Sequence, residues 1–113
     1  MKKKSKRPTV VSHGKILQMA SHTDPLVRCT AAENISIDLL PGMMSDPDWR
    51  VRREVAMRAP PALLPEMMLD PSLAVLEEVA MRIDRKYLSC MVLRCQDPWI
   101  RDTLEMRLSG LLG

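Results

Sequence analysis

Apolar residues return along this chain at an interval of 24 or 25 residues. Segments that contain an Asp-Pro pair align on one apolar column. A second apolar column and a column of small residues follow four and five residues later. Self-similarity at a fixed period of this length is typical of solenoid proteins, whose units stack and cover one another's apolar side. The columns hold Val27, Val51, Val75 and Ile100; Ala31, Val55, Val79 and Leu104; and Ala32, Ala56 and Ala80, with Glu105 in the last copy.

A second pattern lies between these segments. The stretches LLPGMM, LLPEMM and YLSCMV begin at Leu39, Leu63 and Tyr87 and repeat at the same interval of 24 residues. Their apolar residues at i, i+1, i+4 and i+5 form one arc at about 100° per residue, which predicts a helix. Residues 15–20 fit the same register as a degraded first copy. One unit is therefore a helix, a short connection and a shorter helix.

Turn residues agree with this division into units. An Asp-Pro pair supplies an acidic N-cap and a residue suited to the first turn of a helix. Pro60 and Pro61 end the first helix of the second unit, while Pro41 and Pro65 are expected in the first turn of the shorter helices. No segment alternates with period two, so the predicted class is all-α, a short α-solenoid of about four units. The predicted helices span residues 14–21, 25–33, 37–44, 48–58, 62–69, 72–82, 85–93 and 98–108.

The pattern DP-x-x-x-VR-x-x-VA-x-R followed by P-x-x-LL-x-x-M resembles the leucine-rich repeat variant family, a bacterial relative of HEAT-type solenoids. Residues 46–69 match best, whereas His22 and Leu76 replace the Asp and the Arg of that unit. The resemblance covers residues 15–108. It implies a right-handed superhelix of longer and shorter helices, the shorter ones being candidates for 3₁₀ geometry. It implies little about activity, because repeat families serve many binding roles. Some members carry a cysteine-rich segment for an iron–sulfur cluster, a feature that does not carry over to this chain.

Charge is unevenly distributed along the chain. Six of the 17 basic residues lie within residues 1–15, which contain no acid. The remainder therefore has 11 basic and 14 acidic residues and a net charge of −3. The folded body thus lacks the basic surface with which a domain wraps nucleic acid. Residues 1–9 are predicted to be a disordered basic tail. Residues 10–113 are predicted to form one helical-repeat domain, since the length leaves no room for a second core of ordinary size.

Residues that carry chemistry are few. Three cysteines, an odd number, argue against a disulfide framework and favour a reducing cytoplasm. Cys90 and Cys95 do not share a helix face and no paired His completes a metal site, so a cluster could only be shared across a dimer. No nucleophile motif or phosphate loop occurs, so neither an enzyme nor a bound cofactor is expected. The chain holds no apolar run of the about 20 residues that a membrane span needs, and no export signal is expected.

One column of arginines points into the apolar arc instead of away from it. It contains Arg28, Arg52 and Arg101. Because a partly buried guanidinium needs a carboxylate, we expect a ladder in which Asp46 and Asp70 pair with these arginines and join neighbouring units. The alternative is a row of cations that lines a groove for an anionic partner.

A second group of residues is a candidate partner-binding surface. Arg50 and Arg53 project away from the core columns with Trp49 beside them, and cations next to an indole form binding patches. Met57 and Met81 belong to a column opposite the small alanines, where flexible Met side chains would accept a protein partner. The alternative is a solvated face for the arginines and packing between layers for Trp49 and the methionines.

The basic tail supports a competing prediction, in which the chain binds nucleic acid. Contacts of this kind are independent of base sequence and strongly dependent on salt, and no aromatic residue is interleaved to stack on bases. The alternatives are that the tail steers association, acts as an import signal or only aids solubility. The candidate contacts are Lys2, Lys3, Lys4, Lys6 and Arg7 in the tail and Arg50 and Arg53 on the body.

The C-terminal end lacks the polar cap that a terminal repeat usually carries. Leu104, Leu108, Leu111 and Leu112 make this end apolar, so we expect it to dock on a partner or on a second copy of the chain. The sequence as a whole predicts a non-enzymatic helical-repeat module that binds or scaffolds another protein, with nucleic-acid binding as the alternative.

Overall fold

The computed structural model describes residues 12–111, and this part of the chain is helical without a strand. The all-α prediction is therefore confirmed for these residues, whereas the predicted disordered tail lies outside them. The α-helices are α1 (His13–Ala20), α2 (Pro25–Asn34), α3 (Trp49–Arg58), α4 (Leu73–Arg82), α5 (Leu88–Arg94) and α6 (Pro98–Leu108). The 3₁₀ helices are η1 (Ile37–Met43), η2 (Pro61–Met67) and η3 (Arg85–Tyr87).

The Asp-Pro pairs of the sequence have two different roles. Asp24 and Asp97 are N-caps of α2 and α6, and the proline after each is the first residue of its helix. Asp46 and Asp70 lie two residues before the N-caps of α3 and α4 instead. Their carboxylates therefore remain able to bind a side chain of a preceding helix. The prediction that each Asp-Pro pair supplies the N-cap is therefore wrong for Asp46 and Asp70.

Proline decides the geometry of the shorter helices. Pro41 and Pro65 lie in the fifth position of η1 and η2, not in the first turn. A proline has no N–H, and its ring clashes with the carbonyl four residues earlier, so an α-helix is disfavoured at that point. In the third copy Ser89 occupies this position, and the chain passes from η3 into the α-helix α5. The extra residue before the next N-cap accompanies this change.

The longer helices pack against one another in chain order, α1 with α2, α2 with α3, α3 with α4, and α4 with α6. Each shorter helix contacts the longer helix that follows it, η1 on α3, η2 on α4, and α5 on α6. The principal dimensions are 51 × 30 × 22 Å, so the molecule is elongated.

The core is built from equivalent positions of successive copies. Leucine and methionine of the shorter helices meet valine, isoleucine and alanine of the longer ones in one continuous cluster. Val27 is an exception, because it is only partly buried in the first copy. The recurring buried positions are Val51, Val75 and Ile100; Ala31, Val55, Val79 and Leu104; Ala32, Ala56 and Ala80; Ile35, Ala59 and Ile83; Leu40, Leu64 and Leu88; and Met43, Met67 and Met91.

Candidate partner-binding surface

Two arginine–aspartate pairs connect successive longer helices to the turns that follow. Arg28 donates from Nε and Nη2 to the two carboxylate oxygens of Asp46 at 2.8 and 3.0 Å. Arg52 makes the same pair of bonds to Asp70 at 2.7 and 3.1 Å. The hydrogen bonds to these carboxylates raise the pKa of both guanidinium groups above the ordinary arginine value. Such bidentate bonds fix orientation as well as distance.

Arg101 does not join this ladder, although the sequence assigned it there. Its Nε lies 3.5 Å from Glu105 on its own helix, and both side chains are about half exposed. Glu105 stands where Ala56 and Ala80 stand in the preceding copies, so a carboxylate is available one turn away. The ladder is therefore confined to Arg28–Asp46 and Arg52–Asp70 within the described residues.

A second ladder joins each longer helix to the C-terminal end of the one before it. Arginines near the C-terminal end of a helix commonly interact with the last carbonyls of that same helix. In this chain they instead donate to carbonyls of the preceding helix, at residues 23 to 27 positions earlier. The bonds run from Arg58 to Ala32 and Ile35, from Arg82 to Ala56 and Ala59, and from Arg107 to Ala80 and Ile83. These contacts hold neighbouring helices in a fixed relation.

The predicted partner-binding residues all lie on α3 and α4. Trp49 begins α3 and is about half exposed. Met57 and Met81 occupy equivalent positions on the two helices and are also exposed. These three apolar side chains are thus available to a partner.

The two arginines of this group have acidic neighbours. Arg50 donates from Nε and Nη2 to Asp48 at 3.0 and 2.8 Å. The side-chain and backbone hydrogen bonds from Arg50 lower the pKa of Asp48 to about 2. Arg53 lies 3.9 Å from Glu78 on α4. Both cations are therefore at least partly neutralised where they stand.

Carboxylates also surround the middle of this face. Burial, followed by repulsion from Glu33, raises the pKa of Glu54 above its ordinary value. Burial raises the pKa of the Cys29 thiol, and the charge of Glu54 adds to this shift. A face with these acids gives little attraction to a phosphate backbone. The tail residues of the nucleic-acid prediction lie outside the described residues.

A row of exposed apolar side chains at the starts of the longer helices was not anticipated as a whole. Each member is the first or second residue of its helix, directly after the N-cap or after the proline that follows it. An alignment on the N-caps places Trp49 with Leu73 one residue after the cap, and Leu26 with Trp99 two residues after it. We call this the N-terminal apolar row: Leu26 is 58% exposed, Trp49 45%, Leu73 52% and Trp99 70%.

Next to this row lies a cavity of about 240 Å³ between α4, α5 and the start of α6. We call it the junction cavity. Leu76 and Cys95 line it, where the preceding copy has the Arg52–Asp70 pair. Leu73 of the row also lines this cavity, and together with Trp99 it lines a second hollow. Two members of the row, Leu73 and Trp99, therefore adjoin the cavity or the hollow beside it.

Within residues 12–111, no group of three or more His, Cys, Asp and Glu side chains is placed to hold a metal ion. Cys29, Cys90 and Cys95 are free thiols. Over the same residues, every helix is too short or too polar to cross a bilayer. No protein-family model, curated protein or solved structure matches this chain.

Proposed function

We propose that this chain is a short α-solenoid of the leucine-rich repeat variant type and that it serves as a non-enzymatic module for binding another protein in the cytoplasm. The 24-residue period of the core positions supports the repeat assignment, as do the two arginine ladders, which recur at the same period. The elongated dimensions agree with units that contact mainly their neighbours. The three free thiols agree with a reducing compartment.

The N-terminal apolar row is the observation that carries the binding function. Large apolar side chains are exposed at the starts of four longer helices, and tryptophan is prominent among residues that dominate binding energy. The row contains both tryptophans of the chain, Trp49 and Trp99. Because the helices that bear it are fixed by the arginine ladders, a partner would meet a preorganised surface with little ordering cost.

Capture from a native lysate tests this function when it is paired with matched variants. The double variant Trp49→Ser with Trp99→Ser removes the two largest side chains of the row. Leu93→Ser is the control, because Leu93 is exposed and lies outside the row and the junction cavity. We expect the unaltered chain and the control to retain one partner protein in stoichiometric amount and the double variant to lose it. Equal capture by all three contradicts the proposal.

Nuclease treatment of the same lysate tests the competing nucleic-acid function. A protein partner that binds the row stays bound after treatment. Material that is lost after treatment indicates nucleic acid. In that case, titration of duplex DNA at low salt with the full chain and with a chain lacking residues 1–9 identifies the tail as the contact. The variant Arg50→Ala with Arg53→Ala tests the folded body in the same titration.

A further inference from the structure

The third junction departs from the arginine–aspartate ladder in both partners. Leu76 replaces the arginine, and Cys95, which like Asp70 lies two residues before the N-cap of the next longer helix, replaces the aspartate. An arginine at position 76 would therefore find a thiol in place of a carboxylate at this junction. The ladder is replaced by apolar contact, and the junction cavity opens at this place.

The junction cavity has the size and lining of a pocket for one ring. Its wall is formed largely by Met68, Leu73, Leu76, Met91 and Ile100. An apolar cavity of about 150 Å³ stays dry and accepts benzene. The junction cavity, at about 240 Å³, is larger than that and has an opening to solvent, so an aromatic side chain fits.

The charged side chains at the rim of the junction cavity differ in whether they have a partner within the chain. The carboxylate of Asp70 is held by Arg52, and Asp97 Oδ2 accepts the backbone N–H of Ile100 at 2.9 Å. Arg94 also lines the cavity, is exposed, and makes no side-chain hydrogen bond or ion pair with any residue in the range 12–111. Arg94 is therefore the cation at the rim that an anionic group of a partner would meet.

We propose that the junction cavity is the anchor pocket for a partner segment in which an aromatic side chain stands beside an acidic residue. The aromatic side chain enters the cavity and the carboxylate binds Arg94. This inference rests on the proposed function, because it names the site at which a protein partner of the apolar row is anchored. Leu73, which belongs to both the row and the cavity wall, joins the two surfaces.

Two small probes that share a naphthalene ring system and differ in charge test the pocket directly. 1-Naphthaleneacetate carries a ring and a carboxylate, and 1-naphthaleneacetamide carries the same ring without the charge. Calorimetric titration should show that naphthaleneacetate binds about threefold to fivefold more tightly than naphthaleneacetamide, which is the effect expected of an exposed ion pair. Arg94→Ala should abolish this preference, while Lys15→Ala on α1, a distant exposed cation, should retain it. Equal affinity for both probes, or an unchanged preference in Arg94→Ala, overturns the proposal.

Filling the junction cavity tests whether the two probes bind there. In a Cys29→Ser, Cys90→Ser background, N-ethylmaleimide on Cys95 should reduce affinity for both probes at least about tenfold, since the adduct occupies the apolar volume. Leu76→Phe fills the same space without chemical modification, and circular dichroism verifies that it folds. Undiminished probe binding in both filled forms overturns the proposal. If probe binding fails while capture still depends on Trp49 and Trp99, the anchor pocket is wrong and the proposed function stands.

Discussion

At the residue scale, the arginines of this chain serve mainly to join helices. A helical projection correctly indicates that Arg28 and Arg52 point toward the core and need carboxylates. It does not show that Arg58 and Arg82 reach back to the helix before, because a projection of one helix carries no information about the offset between neighbours. Asp46 is an arginine ligand although it resembles the N-cap Asp24 in sequence, because it lies two residues before the N-cap of its own helix.

Arg82→Met should lower the free energy of unfolding by about 2 kcal/mol, because it leaves two partly buried carbonyls, those of Ala56 and Ala59, without a donor. Urea denaturation measures the change. Arg101→Ala is the control and should cost less than about 0.5 kcal/mol, since its partner Glu105 lies one turn away on an exposed face. Equal losses for the two variants would contradict the second ladder.

The pairing of Asp48 predicts a pH dependence at the acid end. Its pKa is about 2 in the folded chain, against 3.8 for an ordinary aspartate. A carboxyl with a lowered folded pKa contributes stability above its unfolded pKa and loses it as the pH falls through the folded value. Asp48→Asn keeps an N-cap but loses the charge, so its melting temperature should fall less than that of the unaltered chain between about pH 4 and pH 2. If circular dichroism shows the same fall in melting temperature with pH for both chains, the ion pair between Asp48 and Arg50 does not contribute to stability.

At the element scale, helix positions follow closely from the sequence because the period, the caps and the prolines agree with one another. The 3₁₀ geometry of η1 and η2 follows from Pro41 and Pro65. The sequence does not predict as well which residues of the shorter helices are buried. Both leucines of each Leu-Leu pair fit the apolar arc, yet only the second is fully buried. An arc drawn at 100° per residue does not describe a 3₁₀ helix, which turns by about 120° per residue.

The adjacent leucines of η1 provide a matched test of this geometry. Leu40→Ala should lower the free energy of unfolding by about 3 kcal/mol, because Leu40 is fully buried and its removal leaves a cavity. Leu39→Ala removes the same atoms from an exposed position and should cost less than about 1 kcal/mol. Denaturant titration compares them, and similar costs would contradict the described orientation of η1.

At the scale of the whole molecule, the longer helices contact one another in chain order in an elongated body, and the surface that remains exposed decides what the chain binds. The C-terminal end is less apolar than its sequence indicates. Leu104 is buried, Leu108 is partly buried, and Arg85 binds the carbonyls of residues 107 and 108. Leu111 is largely exposed, while Leu112 lies outside the described residues.

Association of two copies through this end remains a prediction of the sequence. Sedimentation equilibrium over a range of concentrations should reveal a dimer that Leu111→Ser weakens, because the substitution removes the exposed apolar side chain at this end. A monomer at every concentration, or a dimer that tolerates the substitution, would exclude docking of one copy on another at this end.

The central claim is that the N-terminal apolar row meets a protein partner. The only tryptophans of the chain, Trp49 and Trp99, both belong to the row, so 5-fluorotryptophan gives two ¹⁹F resonances that report on it alone. When the captured partner is added, both resonances should shift or broaden in proportion to the complex formed. A complex that forms while both resonances keep their positions and widths would contradict the account.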